Sequence, residues 1–275
     1  MRSLAYTRSG AGAPLVLLHA LGSSRHSWEP VIPALAERYD VIAVDLPGFG
    51  ESGPLPEQTE ALPANLAAAV AALLDGLGIA SPHVAGNSLG GWIALEFAHI
   101  RPVASLTLLS PAGLWRGVTP LYQRISLRAT RWAARHAAGL LSGMVNHRLG
   151  RMLVLGQTHG RPTRMTPEQA RQAIHAMGSC PGFAAAYNAT ARRCYRSDSR
   201  SIDAPVTVAF GSRDVLLPPR LSRHLDQLPA HIRQETLPGC GHIPMYDDPA
   251  AVAAVISRAG LGDPDAARVP LRRPR

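Results

Sequence analysis

The sequence predicts an α/β fold in which helices cover both faces of a mostly parallel central sheet. Three observations support this prediction. Short apolar runs alternate with helical patterns over the first 110 residues, a purely helical stretch follows, and the alternation then returns. Parallel strands read as continuous apolar runs because helices bury them on both sides. A chain of 275 residues is long enough for one such domain with an insertion.

Each expected strand is a short run of aliphatic or β-branched residues bounded by glycine, proline or polar residues. The clearest is the run from Pro14 to His19, which is apolar until its last residue. Strands are expected at residues 4–7, 14–19, 40–45, 83–85, 104–110, 205–210 and 232–237.

The segments between these strands have helical spacing. Trp28, Val31 and Leu35 fall on one face of a helix, and Gly76 and Gly78 end an alanine- and leucine-rich helix. Helices are expected at residues 28–38, 62–77, 92–98, 219–228 and 249–259.

The alternation breaks after Gly113, and no strand-like run is found until residue 202. The longest helical pattern there covers residues 121–141, and Thr166 with Pro167 has the N-cap and first-position chemistry that opens another helix. We therefore assign residues 1–113 and 202–260 to the α/β core, 114–201 to a helical insertion, and 261–275 to a basic, mobile C-terminal tail.

The composition is that of an ordinary globular protein, with 46% hydrophobic and 17% charged residues. No apolar run reaches the roughly 18 residues needed to cross a bilayer, and residues 1–6 do not resemble a signal peptide. The three cysteines are sparse and lack metal-ligand spacing. We expect a cytoplasmic protein, monomeric or homodimeric, with no metal site and no cofactor.

The net charge of +9 is unevenly distributed. All 28 basic residues are arginine, and residues 112–200 contain 14 of them against two acids. The arginines at 124, 128, 131 and 135 share one face of a helix, beside the stripe of Leu121, Ile125, Ala129 and Trp132. This face either is solvated or attracts an anionic substrate or carrier. No nucleic-acid-binding motif accompanies the charge, so we expect no nucleic-acid partner.

Residues 86–90 (Gly-Asn-Ser-Leu-Gly) fit the pattern G-x-S-x-G, between an expected strand and an expected helix. A turn this tight strains the backbone of its central residue and needs very small residues two positions to either side. It holds the Ser88 hydroxyl at a helix N-terminus, where developing negative charge is favoured. We interpret Ser88 as a nucleophile; the simpler alternative is an ordinary strand-to-helix turn.

A nucleophilic serine needs a base, and the base needs an orienting acid. Asp214 and His242 each follow a later strand, so they should lie at the same edge of the sheet as Ser88. An alternative role for Asp214 is to cap the following helix. The oxyanion would be bound by two backbone N–H groups, expected at Leu21 and Leu89.

Several motifs together are similar to those of the α/β-hydrolase fold superfamily, and specifically its capped single-domain serine hydrolases. They are His19-Ala20-Leu21-Gly22-Ser23, the run Asp45 to Ser52, Gly86 to Gly91, Gly211-Ser212-Arg213-Asp214 and Gly241-His242-Ile243-Pro244. This resemblance implies an α/β-hydrolase fold with a helical cap, or lid, inserted after the sixth strand. It also implies that Ser88, Asp214 and His242 are nucleophile, acid and base. Two departures are Ala20, where the family usually has glycine, and room for one N-terminal strand where the family often has two.

The resemblance also narrows the reaction class. The family's epoxide hydrolases and haloalkane dehalogenases have aspartate where this chain has Ser88. Serine indicates hydrolysis of an ester, thioester or lactone through an acyl-enzyme intermediate, with a small acyl substrate that is either neutral, anionic or carrier-bound. Asn87 and Leu114 are also similar to features of the family's C–C bond hydrolases of meta-cleavage products, which are one alternative. A non-hydrolytic acyl-transfer or cyclisation enzyme is another. We expect Trp132, Leu114 and Ile243 to contact the substrate.

Overall fold

The computed structural model describes residues 4–196 and 202–260. Its centre is a seven-stranded sheet in the order β1-β3-β2-β4-β5-β6-β7, in which only β1 runs antiparallel to its neighbour. The strands are β1 (Tyr6–Ser9), β2 (Ala13–Leu18), β3 (Tyr39–Val44), β4 (His83–Asn87), β5 (Ser105–Leu109), β6 (Val206–Gly211) and β7 (Arg233–Leu237). The sequence therefore located every strand to within about two residues, and the predicted α/β class is confirmed.

The strand register brings the carboxyl ends of the central strands together. Asn87 pairs with Leu109, Leu109 with Ala209, and Gly211 with Leu237. Because these strands are parallel, the loops that follow β4, β6 and β7 leave the sheet along the same edge. Ser88, Asp214 and His242 lie on those loops.

Four helices cover the sheet on its two faces, which carry separate hydrophobic clusters. Alternate strand residues divide between them: Val16 and Leu18 pack into one cluster, and Leu15 and Leu17 into the other. The covering helices are α1 (Ile32–Ala36), α2 (Pro63–Gly76), α3 (Leu89–Ile100) and α10 (Pro249–Gly260). The helix expected at 28–38 is shorter than predicted, because a 3₁₀ turn at Arg25–Trp28 precedes α1.

Up to residue 196, where its description stops, the segment between β5 and β6 contains five helices. They are α4 (Leu121–His136), α5 (Ala138–Met144), α6 (Arg148–Leu155), α7 (Pro167–Ser179) and α8 (Phe183–Thr190). The single helix expected over 121–141 breaks at Ala137, whose φ of −121° and ψ of 22° are not helical. The predicted N-cap of α7 is present as a full capping box, with Thr166 and Gln169 satisfying each other's backbone N–H groups.

This helical segment follows the fifth strand, not the sixth as expected. The resemblance implied the sixth strand because the family often has two N-terminal strands, whereas only β1 precedes β2 in the described chain. The helix expected at 219–228 is also shorter: α9 (Pro219–Ser222) ends early, and a separate 3₁₀ turn follows at Leu225–Gln227.

The helical segment meets the core at a contact between two glycines. The N–H of Gly182, which precedes α8, donates to the carbonyl of Gly48 at 2.8 Å. A Cβ on Gly48 would lie 2.8 Å from the Gly182 Cα, so neither position has room for a side chain.

Three sequence predictions concern features outside the sheet. Cys180, Cys194 and Cys240 are free thiols. Within the described ranges, no helix has the length and apolar content that a bilayer crossing requires. The proposed tail at residues 261–275 lies outside the described residues.

Candidate active site

Ser88 lies in a strained turn between β4 and α3. Its φ of 55° and ψ of −113° are rarely adopted by an L-amino acid. Two backbone hydrogen bonds hold this conformation: the Ser88 N–H donates to Leu109 O at 3.0 Å, and Ser88 O accepts from the Ala112 N–H at 2.9 Å. The turn is therefore fixed against the end of β5.

The glycines of the motif are needed because backbone atoms surround them. A Cβ on Gly86 would overlap the carbonyl of Gly90, and a Cβ on Gly90 would overlap the carbonyl of Leu18. On Gly91, a Cβ would come within 2.9 Å of the Pro111 side chain. The motif therefore has glycine at these positions because neighbouring atoms leave no room for a side chain.

The loops after β6 and β7 bring Asp214 and His242 into contact. The His242 Nδ1 lies 3.1 Å from an Asp214 carboxylate oxygen, and both side chains are buried. With Nδ1–H donating to the carboxylate, the Nε2 of His242 is left as an acceptor. This is the arrangement that a histidine base requires.

The Asp214 carboxylate has a second set of partners. Its Oδ1 accepts hydrogen bonds from the N–H groups of Leu216 and Leu217, both at 3.0 Å. Asp214 therefore caps the turn that follows it and also contacts His242, so capping does not exclude the contact that the acid role requires. Burial acts to raise the pKa of Asp214, but the charge and hydrogen bond of His242 and the Leu217 N–H outweigh it, so this pKa is lowered.

Ser88 and His242 line the same cavity. Leu21 and Leu89 also line it, and within residues 4–196 and 202–260 neither backbone N–H group donates a hydrogen bond. Two unpaired donors beside a serine can bind a negatively charged oxygen.

The cavity is narrow and mostly apolar. Its volume is ≈ 70 Å³. Its walls come from both the core and the helical segment: Ala20, Leu21, Ser88, Leu89, Trp92, Ala112, Trp115, Thr119, Gln123, Leu127, Thr158, Met177, Tyr187, Thr190, Ala191, Leu216, Leu217, His242 and Ile243. No arginine is among them.

Of the three residues expected to contact substrate, the structure places only Ile243 at the cavity. The expectation for Trp132 is wrong, because this residue is 64% exposed and does not line the cavity. It lies nine residues after Gln123, which at about 100° per residue puts it on the opposite face of α4 from this lining residue. Leu114 is also wrong: it is fully buried in the core, and Trp115 lines the cavity in its place.

The arginine face of α4 does not reach the cavity either. Arg131 binds the helical segment internally, donating to the carbonyls of Met177 and Cys180 and stacking over Phe183 at 5.3 Å. Arg128 and Arg135 are exposed. The anionic-substrate interpretation therefore has no support from the residues around the cavity.

Sequence reasoning missed two buried polar residues that position the site. The Asn87 side chain donates to Leu109 O at 3.0 Å and to His242 O at 2.9 Å, which ties the base to the strand that precedes Ser88. The Asp247 carboxylate accepts N–H bonds at 2.7 Å from Gly160, Arg161 and Gly241. The one signal for Asp247 in the sequence was its position five residues after His242. The sequence Asp-Asp-Pro at that point indicates only the start of a helix.

Comparison with known proteins gives consistent results. A family-wide sequence profile described as alpha/beta hydrolase fold matches residues 13–249. The pimeloyl-[acyl-carrier protein] methyl ester esterase of Aeromonas hydrophila subsp. hydrophila is 29% identical over 273 residues, covering 92% of this chain and 98% of that protein. An epoxide hydrolase of Mycobacterium tuberculosis is 29% identical over 191 residues, covering 67% and 88%. The structure of a thermophilic esterase from Thermogutta terrifontis, with malate bound, is similar with a TM-score of 0.72 and 25% identity, covering 93% and 92%.

Proposed function

This chain belongs to the alpha/beta hydrolase fold family, and from that premise we propose that it hydrolyses a small carboxylic ester, thioester or lactone. The observation that carries the proposal is the buried His242–Asp214 pair, 3.1 Å apart, at the cavity that Ser88 also lines. Ser88 is the nucleophile, His242 the general base and acid, and Asp214 the group that orients His242.

The geometry supports a two-step reaction. The Nε2 of His242 accepts the hydroxyl proton as the Ser88 Oγ attacks the carbonyl carbon, and Asp214 stabilises the resulting imidazolium. The N–H groups of Leu21 and Leu89 bind the oxyanion, and His242 returns the proton to the leaving alcohol. Water, activated by the same base, then releases the acid from the acyl-enzyme and regenerates the Ser88 hydroxyl.

The nucleophile separates this proposal from epoxide opening, the activity named for one relative. A carboxylate that attacks an epoxide forms an ester, which water can hydrolyse. A serine that attacks an epoxide forms an ether, which has no carbonyl for water to attack. Ser88 therefore favours substrates with an acyl carbon.

We propose that residues 114–201 act as a cap and that it limits the size and charge of the substrate. Thr119, Leu127, Met177 and Tyr187 of this segment face the same cavity as Ser88. An engineered cavity of about 150 Å³ holds benzene, so this smaller cavity favours a short acyl group. Its apolar walls favour a neutral, short acyl chain; a carrier-bound ester, of the kind in the name of the Aeromonas relative, is the alternative.

Hydrolysis of p-nitrophenyl butyrate tests the proposal. We expect Ser88→Ala to lower kcat by about 10³-fold or more, and a fluorophosphonate probe to label the wild-type protein but not this variant. Ser27→Ala is the matched control, because the buried Ser27 hydroxyl only donates to Ser24 O at 2.9 Å. Undiminished turnover or labelling in Ser88→Ala would refute the assignment.

A further inference from the structure

Large apolar side chains are exposed on the outward faces of three consecutive helices. On α6, Leu149 and Leu153 are 73% and 78% exposed. The stripe on α4 that the sequence singled out is also exposed along its length. We call outer face the exposed residues Leu121, Ile125, Ala129 and Trp132 of α4, Leu140 of α5, and Leu149, Met152 and Leu153 of α6, together with three arginines, Arg128, Arg135 and Arg148.

These helices form one layer. The opposite faces of α4, α5 and α6 pack on α7, through a cluster that includes Ala134, Leu155 and Ile174. Gln157, one turn after Leu153, hydrogen-bonds to Tyr122 and Ser126 and so places the end of α6 beside α4. Their unpacked sides therefore make up a single surface.

The charge of the outer face is wholly positive. The chain has no acidic residue between Glu96 and Glu168. Arg128, Arg135 and Arg148 make no ion pair with any residue that the structure describes. Exposed leucine, isoleucine and tryptophan interspersed with free arginines are typical of helices that lie in a membrane interface.

We propose that the outer face docks this protein on an anionic lipid surface. Apolar side chains would enter the boundary between headgroups and acyl chains, while the arginines contact lipid phosphates. A second copy of the chain fits poorly, because a two-fold interface would set this acid-free arginine surface against itself. An acidic protein would match the charge but would leave the eight apolar side chains without an apolar counterpart.

The docked orientation would bring the cavity close to the membrane. Gln123 and Leu127 of α4 line the cavity, and Ile125 and Trp132 lie on its exposed side. One helix, about 10 Å across, therefore separates the cavity from the lipid. The inference stands whether or not the proposed reaction is correct, because it depends only on this surface.

Tryptophan fluorescence provides a site-specific test. Trp28, Trp92 and Trp115 are buried and Trp132 is the remaining tryptophan, so a probe in the lipid reports on the outer face. We expect vesicles of phosphatidylglycerol and phosphatidylcholine to shift the emission of the full-length protein to the blue, and brominated lipids to quench it. Pure phosphatidylcholine should bind much more weakly, and Trp132→Phe should bind anionic vesicles without the spectral change.

Variants separate the contribution of the arginines to vesicle binding from that of the apolar side chains. Replacing Arg128, Arg135 and Arg148 by glutamine should weaken the vesicle partition coefficient by about a hundredfold, at roughly fivefold per arginine. Leu149→Gln with Leu153→Gln should weaken it at least about tenfold. The matched control is Ile100→Gln with Leu221→Gln, two residues 49% and 51% exposed outside the outer face, which should leave binding unchanged.

Three results would overturn the proposal. The first is that the protein sediments equally with anionic and neutral vesicles, or that it sediments with neither kind. The second is binding to anionic vesicles that leaves Trp132 unquenched, as binding through the arginine-rich residues 261–275 would. The third is a dimer in sedimentation velocity that the leucine and arginine variants dissociate, which would assign the outer face to a second copy.

Discussion

The fold requires glycine at position 90, because there is no room for a Cβ there. It stands where α3 begins and packs directly on the backbone of β2, with no flexible side chain nearby to yield. We expect Gly90→Ala to lower the free energy of unfolding by about 3 kcal/mol or more, because the backbone of the strand must move. Urea denaturation measures this. Gly143→Ala is the control: nothing lies within 4 Å of its Cβ, so it should be neutral or stabilising by up to about 1 kcal/mol.

His159 makes stability sensitive to acid. Burial lowers its pKa, although the charge of Asp247 opposes the shift. Because the unfolded histidine titrates near 6.5, the unfolded state binds the extra proton first as the pH falls. Above that pH, His159 is neutral in both states and the free energy of unfolding keeps its full value. Below it, protonation of the unfolded state lowers the free energy of unfolding by up to about 1.4 kcal/mol per pH unit.

The variant His159→Gln should therefore flatten the fall in stability between pH 6.5 and 5. Urea midpoints at four pH values, converted to free energies of unfolding, are the measurement. Equal slopes in the two proteins would show that His159 takes up no proton on unfolding.

At this scale, the sequence predicted which residues follow the strands and therefore lie at one edge of the sheet. Ser88, Asp214 and His242 follow from strand position and glycine spacing. Trp132 could not be placed in the same way, because periodicity shows which residues share a face of α4 and not which face turns inward. Asn87 was missed because its partner, His242 O, is 155 positions away in the chain.

Among the elements, the loop of His242 is held by a carboxylate shared with the helical segment. One Asp247 oxygen accepts from both Gly160 and Gly241, so the loop of His242 and the helical segment are fixed to the same atom. We expect Asp247→Asn to cost about 2–3 kcal/mol of unfolding free energy, because a buried N–H loses its acceptor.

The same substitution should lower kcat on p-nitrophenyl butyrate and shift its pH profile, because His242 follows Gly241. Asp248→Asn is the matched control. Asp248 is 31% exposed and pairs with Arg161 at 3.0 Å, and asparagine retains the helix cap on Ala251. Its effect should stay within about 1 kcal/mol. Equal effects of the two substitutions would contradict the positioning role of Asp247.

Element boundaries were predictable where local chemistry fixes them. Thr166 did so at the start of α7, and Gly78 did so just after the end of α2. The break at Ala137 and the early end of α9 have no comparable local signal, since alanine and leucine favour continuation of a helix.

Taken as a whole, the molecule encloses a cavity whose volume depends on how α4 and α7 sit over the core. We expect kcat/KM for p-nitrophenyl esters to be highest with two to four acyl carbons and about tenfold lower or less at eight. Leu127→Ala should move the optimum to longer chains, because Leu127 lines the cavity. Leu121→Ala, on the outward side of the same helix, should not. An optimum at eight or more carbons in the wild-type protein would contradict the size argument.

The positions of the strands and of the helical insertion along the chain were accessible from alternation alone, because parallel strands and crossover helices leave distinct patterns. The volume and charge of the cavity were not. They depend on side chains contributed by several separate stretches of chain, and none of the arginines that drew attention to anionic substrates lines the cavity.

The contact between Gly48 and Gly182 has a consequence for engineering. At that point the helical segment rests on the core through bare backbone and one hydrogen bond, with no interlocking side chains. A chimera that receives the equivalent segment from a relative can seat there only if the donor supplies glycine at this position. Any larger residue would lift the graft away from the core and reshape the space beneath it.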